Sequence, residues 1–422
     1  MGFEWHLNST PLQECLQQRA SSLDTVVSCV KEQKTKSTSS KLARTDMRVT
    51  DAWKHRNKGR DVVVAVIDSL IQWNHPDLQN SIYTVTSADK CPGEVHGWDF
   101  SEPSDSTNPC EVGDSDTRMS PLELNILRRK FQDSFKLSDP ELLRRYSIEA
   151  EAIQEKNPQF SQKQLADYLR PYIRTYEVGT EFHGTWVSGI IAANPQTQGI
   201  LGVAPNTKIL PVRVFGINKS VSNAVIIEAI SYAADRGADI INLSLGGGAP
   251  SDAAQQAITQ ILQEKPNLVI VASSGNEYTN EVSYPAAYPG VLSVGASNLL
   301  GQRAAYSNYG TRLDVIAPGG DLETPGWEGG IATTGGIWMD TFWQGLDNQT
   351  QHWAPTIDMR GKYWWVQGTS FSSPAVAGVI ALMKGEDTNK KLTRTQIINI
   401  LKSTASYDGL NIVNKNKNIT LH

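Results

Sequence analysis

Long apolar runs are missing from this chain of 422 residues: nothing in it approaches the roughly 18 consecutive apolar residues of a membrane-spanning helix. A basic stripe is missing too. Aspartate and glutamate (44) outnumber lysine and arginine (39), for a formal net charge of −5. Without clustered cations a surface cannot displace counterions from a nucleic acid, so the expected partners include no nucleic acid and no membrane span. The start, Met1-Gly-Phe-Glu-Trp-His6, has neither the charged beginning nor the apolar stretch of a secretory signal. Such a signal is expected to be absent or already removed, and extracytoplasmic and intracellular locations both stay open. No internal repeat occurs.

Cysteine is scarce, and four residues allow three pairings. Cys91 and Cys110 flank a stretch rich in Pro, Gly, Ser and Asp that a disulfide would close into a loop, although free cytosolic thiols suit the spacing equally. In one straight helix Cys15 and Cys29 would stand about 21 Å apart, too far to bond. A bond between them requires a bend near Ser21-Ser22.

The composition that is present, 39% hydrophobic and 20% charged, is that of an ordinary globular protein with a sizeable core. At roughly 150 residues per domain the length allows two or three units, or one large α/β enzyme with insertions. Residues 1–42 read as a separate N-terminal extension or short prosegment. They comprise a helix-like stretch from Leu12 to Val30 and a flexible, cleavable linker from Lys31 to Lys41. From there to residue 422 the pattern is continuous. Asp61-Val-Val-Val-Ala-Val-Ile67 is a short apolar, β-branched run of the kind buried on both faces of a parallel sheet. Further strands are expected over Lys208–Phe215, Asp239–Leu245, Leu268–Ser273, Val291–Ser297 and Asp314–Ala317. Helices are expected over His183–Ala193, Val221–Arg236, Asp252–Glu264, Ser370–Lys384 and Thr393–Thr404. Strands alternating with helices imply crossover connections, hence an α/β fold: a doubly wound, mostly parallel sheet with helices on both faces. Two stretches interrupt the rhythm. Residues 100–178 carry charged helical sequence (Leu122–Phe135, Pro140–Lys156), and residues 325–366 hold six of the eleven tryptophans. Both are expected to be insertions, the tryptophans packing the second against the body or, in the alternative, lining a substrate cleft.

In an open parallel sheet, ligands sit beyond the carboxyl ends of the strands. Asp68 ends the first strand, Ser244-Leu-Gly246 follows another, and Ser273-Ser-Gly-Asn276 a third. In Gln367-Gly-Thr-Ser-Phe-Ser-Ser-Pro-Ala-Val-Ala-Gly378, Gly368 permits a tight turn into a helix whose first turn carries Ser370. Pro374 is tolerated there because the first turn has no N–H partners to lose. A helix N-terminus also favours negative charge forming beside Ser370. His183 opens an apolar helix, and an imidazole can take a proton from a hydroxyl near neutral pH and return it to a leaving amine. Taken singly, a serine before a helix is most often only a cap, and a histidine there a surface residue.

Together, Asp68 after an apolar strand, His183-Gly-Thr185, Ser273-Ser-Gly-Asn276 and Gly368-Thr-Ser370 with Pro374 resemble the subtilisin family of serine proteases, in the family's order Asp, His, Ser. His75-Pro-Asp-Leu78, Gly199-Ile-Leu-Gly-Val-Ala-Pro205, Ile241-Asn-Leu-Ser-Leu-Gly246 and Tyr284-Pro-Ala-Ala287 are similar to the family's supporting blocks. The resemblance implies a polypeptide-cleaving enzyme with Ser370 as nucleophile, His183 as general base, Asp68 as its orienting carboxylate, and Asn276 as oxyanion donor beside the Ser370 N–H. It implies that Ser244, Leu245 and Gly246 pair with extended substrate, and that Ser273, Ser274, Gly275 and Glu277 border the primary specificity pocket. An acid there, with Asp252, would favour Lys or Arg, and the basic stretch Lys31–Arg44 would then suit self-processing, making the protein's own N-terminal segment a partner. Relatives bind a structural Ca²⁺ at positions matching Asp77 and the loop Asn194–Ile200, here Asn194, Gln196, Gln198 and Ile200, an oxygen-rich set suited to that ion. The chemistry itself requires no cofactor.

The family usually has Gly two places after the catalytic Asp, where this chain has Leu70. If that position needs positive φ, Leu70 would strain the turn holding Asp68 and leave a catalytically silent, subtilisin-like binding module. Trp186 and Ser188 are departures as well. An esterase of the α/β-hydrolase type is excluded: Gly368-Thr-Ser-Phe-Ser372 lacks the final Gly, and His183 precedes Ser370.

Overall fold

The computed structural model describes residues 4–9, 15, 45–101, 108–217, 220–323, 326–346 and 352–405. Strands β1 (Val63–Asp68), β2 (Trp98–Asp99), β3 (Lys208–Arg213), β4 (Ile240–Leu243), β5 (Val269–Ser273), β6 (Val291–Ser297) and β7 (Val315–Pro318) form one sheet. Its order is β2-β3-β1-β4-β5-β6-β7, with every neighbouring pair parallel. The period-two geometry of a strand sends alternate residues of β1 to opposite faces. Val64 and Val66 enter one buried cluster and Ala65 and Ile67 the other.

In chain order, the described helices of seven residues or more are α1 (Pro121–Lys136), α2 (Asp139–Arg145), α3 (Ser147–Lys156), α4 (Gln162–Tyr172), α5 (His183–Ala192), α6 (Asn223–Asp235), α7 (Asp252–Glu264), α8 (Thr369–Glu386) and α9 (Arg394–Thr404). Four of them divide between those two faces of the sheet. Ile190 and Ile191 of α5 and Ala377, Ile380 and Ala381 of α8 pack with Val64 and Val66. Ala229, Ile230 and Ala233 of α6 and Ile258 and Leu262 of α7 pack on the opposite side. The sheet is therefore doubly wound, as expected. Small residues set how closely α8 approaches: a Cβ on Gly378 would lie 2.5 Å from Val203 Cβ.

Residues 121–178 form a helical layer of their own. The single helix expected over Pro140–Lys156 is two, because buried Tyr146 leaves helical geometry at φ −113, ψ 45 and turns its hydroxyl to donate to Asp133 Oδ2 at 3.0 Å. A fourth helix, α4, was not among those expected. It starts on a Ser161/Gln164 capping box and continues through a π turn (Ile173–Val178) and a 3₁₀ turn (Gly179–Phe182) directly into α5. In the second insertion β8 (Ile331–Thr334) and β9 (Tyr363–Val366) make an antiparallel hairpin. Phe131 of α1 is ringed by Phe342, Trp343 and Trp353 at centroid distances of 5.8, 5.1 and 5.1 Å. The two insertions thus pack on each other as one aromatic module.

Cys91 and Cys110 are joined, closing the expected loop. Cys15 is also disulfide-bonded, and its partner, like the helix and linker expected over residues 12–41, lies outside the described residues. Residues 4–9 are sunk into the body. Trp5 is fully buried with its indole N–H on Gly330 O at 2.9 Å. Asp46 Oδ2 accepts from both Ser9 N and Ser9 Oγ at 2.9 Å, pinning the two ends of the intervening stretch together.

Two imidazoles are buried beside these contacts. His75 accepts the Asp77 N–H at 3.0 Å through Nδ1, which leaves Nε2 to donate to Lys362 O at 3.2 Å. Neither nitrogen of His6 has a hydrogen-bond partner among the described residues. Burial pulls both down from 6.5 to about 3; the Asp46 carboxylate opposes it weakly at His6, and the Lys362 carbonyl does so at His75. The unfolded chain accepts protons near 6.5 while the folded chain refuses them until about 3. Stability is accordingly flat above that window and falls through it by about 1.4 kcal/mol per pH unit per histidine. Urea unfolding at about pH 7.5 and about pH 5 should show His6→Leu losing less stability on acidification than wild type. Equal losses would remove His6 from the account.

Candidate active site

β1 and β4 deliver their C-terminal ends to the same edge of the sheet. There Asp68 (1% exposed) accepts from Ser69 N at 2.7 Å and lies 2.8 Å from His183 Nδ1, both through Oδ1. Local stitching holds the β1 end against the start of α5. Ser69 Oγ donates to Glu181 O at 3.0 Å and accepts the Gly184 N–H at 3.1 Å, while Thr185 Oγ1 donates to Leu70 O at 3.0 Å. The approach requires glycine at 184, since a Cβ there would sit 2.7 Å from Ser69 O. Leu70 is absent from the residues with positive φ and is fully buried. The strain considered for this turn is not present.

The serine arrives from the other direction. Gly368 at φ 145 turns the chain into α8, with its N–H on Gly319 O and on the Tyr306 hydroxyl, each at 3.0 Å. Burial pushes the Tyr306 phenol well above its usual range, keeping it protonated; its hydroxyl donates to the carbonyls of Gly319 and Gly320. Ser370 and Ser244 are tied reciprocally. Ser244 Oγ donates to Ser370 O at 2.7 Å, and Ser370 Oγ donates to Ser244 O at 3.2 Å. The Ser370 hydroxyl therefore points to the β4 extension, while Ser370 and His183 line the same cleft; catalytic hydrogen bonds are commonly open in the absence of substrate. The His183 ring is flanked by Phe371 and Trp186 at 5.3 and 6.2 Å.

Asn276 stands beyond the end of β5 with its side-chain oxygen fixed: Thr369 N and Thr369 Oγ1 donate to Oδ1 at 2.9 and 3.0 Å. That assignment leaves the amide NH₂ as the free donor of the side chain. A cleft of about 390 Å³ is lined by Asp68, His183, Ser370, Asn276, Ser244, Leu245, Gly246, Ser273, Gly275 and Glu277, so side chains from five separate segments meet at one opening. Ser274 does not line it. It is fully buried behind the loop, with its N–H on Val294 O at 2.9 Å. Asp252 lies outside this lining, exposed at the start of α7. The lining includes no tryptophan but adds Thr180, Glu181, Phe215 and Gly216, which no sequence pattern flagged. Thr369 and Asn308 are further residues that the sequence analysis passed over. The neighbouring Gly368-Thr-Ser370 motif could have pointed to Thr369; Asn308, distant in sequence, carried no such signal.

The proposed calcium ligands stand apart from the cleft. Asp77 Oδ2 accepts from Ile200 N at 2.9 Å, Asp77 O accepts from Asn194 N at 2.7 Å, and Glu4 Oε1 accepts from Leu201 N at 3.3 Å. Asp77, Glu4 and the loop carbonyls are oxygen donors of the kind a hard cation takes, although the described residues contain no cluster of three or more Asp, Glu, His or Cys side chains placed to hold a metal ion. Gln196 and Gln198 are exposed, and the Asn194 amide donates to Pro205 O at 2.8 Å.

The profile described as the Subtilase family matches residues 59–419. An alkaline protease of Alkalihalobacillus alcalophilus is 34% identical over 226 residues, covering 53% of this chain and 50% of that protein. The subtilisin of Bacillus pumilus is 32% identical over 263 residues, 61% of this chain and 82% of that protein. The chain spans about half the length of several curated relatives it matches, the alkaline protease among them. Among solved structures, proteases from Pseudoalteromonas arctica share 26% identity at a TM-score of 0.56, covering 87% of this chain and 89% of theirs. A cold adapted subtilisin-like serine proteinase, 21% identical at a TM-score of 0.51 over 84% of this chain and 85% of its own, has the same fold. With a match running from just before the first strand almost to the last residue, the chain belongs to the subtilase family.

Proposed function

We propose that this protein is a serine endopeptidase that cleaves polypeptides through an acyl-enzyme. The observation that supports it most is the bond from His183 Nδ1 to Asp68 Oδ1 in a cleft shared with Ser370 and Asn276. With the proton of the neutral ring held on Nδ1 by the carboxylate, Nε2 keeps the lone pair that can accept the Ser370 proton. Ser370 Oγ then bonds to the scissile carbonyl carbon, and the carbonyl electrons move onto oxygen, where the Asn276 NH₂ and the Ser370 N–H donate to it. Collapse of that oxyanion breaks the C–N bond, and His183 gives its proton to the departing amine. Water, deprotonated by His183, attacks the ester, and the proton returns to Ser370 as the acid leaves. Wild type should hydrolyse casein and be labelled at Ser370 by a fluorophosphonate, and Ser370→Ala should do neither. Absence of labelling in folded wild type would favour the silent binding module, for which the Ser370–Ser244 bond is the one supporting observation.

The preference proposed is for Lys or Arg at the cleavage site. Glu277 lines the cleft, and no Lys or Arg among the described residues does, so its charge favours a cation there. A mixed peptide library should show at least a ~10-fold gain for basic residues, about 1.4 kcal/mol of discrimination. The same preference would cut the protein's own Lys31–Arg44 stretch and make the chain a zymogen. Because residues 4–9 are buried outside the cleft, the released peptide is expected to stay bound by Trp5 and Leu7. Mass analysis should find that cut in wild type and not in Ser370→Ala; a flat library profile with an intact chain would remove both ideas.

Calcium is proposed as a structural ion held by Asp77, Glu4 and the oxygens of Asn194, Gln196, Gln198 and Ile200, where it would neutralise two carboxylates and brace the loop without entering the chemistry. A chelator should lower the Tm by several degrees, a shift of ~1–2 kcal/mol. An unchanged Tm, with no calcium in the purified protein, would exclude the ion.

A further inference from the structure

We propose that Asn308 and Glu277 form a positioning clamp for the oxyanion donor, Asn276; the inference rests on the peptidase reading above. Asn308 is 1% exposed and uses its whole side chain on one loop. Its Oδ1 accepts from Glu277 N at 2.9 Å and Thr279 N at 3.1 Å. Its amide nitrogen donates to Glu277 Oε2 at 2.7 Å and Ser283 Oγ at 3.2 Å, and its own N–H donates to Gly275 O at 3.0 Å. Glu277 Oε2 in turn accepts the Asn276 N–H at 2.9 Å. The exposed residue that carries the reacting amide is thus held by its backbone from a buried anchor, and by its side-chain oxygen from Thr369, the neighbour of the nucleophile.

The glycine before it supports the same reading. A Cβ at Gly275, whose φ is 106, would lie 2.3 Å from Asn308 Nδ2, 2.4 Å from Ser283 Oγ and 2.6 Å from Glu277 Oε2. The three polar groups converge on the space a side chain would fill, so this Gly is needed for the clamp as well as for the turn. An oxyanion donor works only if it is already aimed where the charge will develop, so that no reorganisation is needed during reaction. On exposed backbone that aim has to come from outside the loop.

Glu277 therefore has two separable properties, a charge facing the cleft and an acceptor holding Asn276, and glutamine keeps the second while losing the first. On a peptide with an uncharged residue at the cleavage site, Glu277→Ala and Asn308→Ala should lower kcat by roughly 10- to 100-fold with KM changed less than about 3-fold. That loss is bounded by the ~10²–10³ that removing such a donor costs in a subtilisin. Glu277→Gln should recover most of the kcat lost in Glu277→Ala. Rates are taken per fluorophosphonate-reactive serine, so that misfolded molecules do not count. In an Asn276→Ala background Glu277→Ala should cost less than about 2-fold further, because a residue acting through Asn276 has nothing left to position. Undiminished kcat in Glu277→Ala and Asn308→Ala, or losses that multiply fully with Asn276→Ala, would overturn the clamp. Wild type that fails to label or turn over would instead overturn the peptidase reading.

Discussion

A carboxylate buried at the end of the central strand, sharing one oxygen between an imidazole and a backbone N–H, sets the terms for everything around it. Asp68 Oδ1 serves both His183 and Ser69, and Oδ2 has no hydrogen-bond partner among the described residues. An ionised group so placed is tolerable only with its donors in fixed positions, and the distance along the chain between Asp68 and His183, 115 residues, gives no local means of fixing them. The structure supplies the means in three layers. The parallel sheet brings the strand end to the cleft, Ser69 and Thr185 sew it to the first turn of α5, and Gly184 removes the side chain that would hold the two apart.

Much of this was legible because the relevant signals are local. Buried parallel strands read as β-branched runs, and all six expected strands, beginning with Asp61–Ile67, differ from the observed bounds by no more than two residues at either end, as β1 (Val63–Asp68) illustrates. Pro266 marks the end of the helix expected over Asp252–Glu264, which are the observed bounds of α7. The site residues were legible for another reason: a strand end, a helix start and a glycine turn are places where the backbone geometry demands particular residue types. What escaped was set by tertiary contact. Two-residue β2 exists through its pairing with β3, and the break at Tyr146 through a hydroxyl reaching Asp133. Asn308 is an ordinary Ser-Asn-Tyr loop residue until the fold brings it under Gly275.

The departures from the family pattern become intelligible once the insertions are seen as one body. Trp186 replaces a smaller or charged residue on α5 and lies 5.3 Å from Trp364 of the β8–β9 hairpin, and Thr333 and Thr334 of β8 donate to the carbonyls of Trp186 and Thr185 at 2.6 and 2.8 Å. Gly189 lets the hairpin approach: a Cβ there would be 2.2 Å from Thr334 Oγ1. From the other insertion, the π turn passes into the 3₁₀ turn, which ends one residue before His183 at the start of α5, and π segments are frequent at functional sites. The helix carrying the imidazole is thereby braced along its back by residues 325–366 and at its start by residues 100–178.

The two halves of the cleft consequently differ in how they resist thermal motion. On the His183 side, rigidity comes from packing: Phe182, Trp186 and Phe371 are buried with the aromatic module, and close-packed rings leave few alternative arrangements. On the Asn276 side the loop is exposed from Asn276 to Asn280, where packing can supply little, and order depends on hydrogen bonds converging from Thr369, Asn308 and Ser283. Such a loop can yield to an incoming substrate along directions that those bonds do not oppose. The bonds do oppose displacement of Asn276 relative to Thr369, and Thr369 is covalently joined to Ser370. Ser370 and Asn276, the proposed nucleophile and oxyanion donor, are thereby tied to one another, so that displacement of the loop need not separate the two groups that the proposed reaction brings to the same carbonyl.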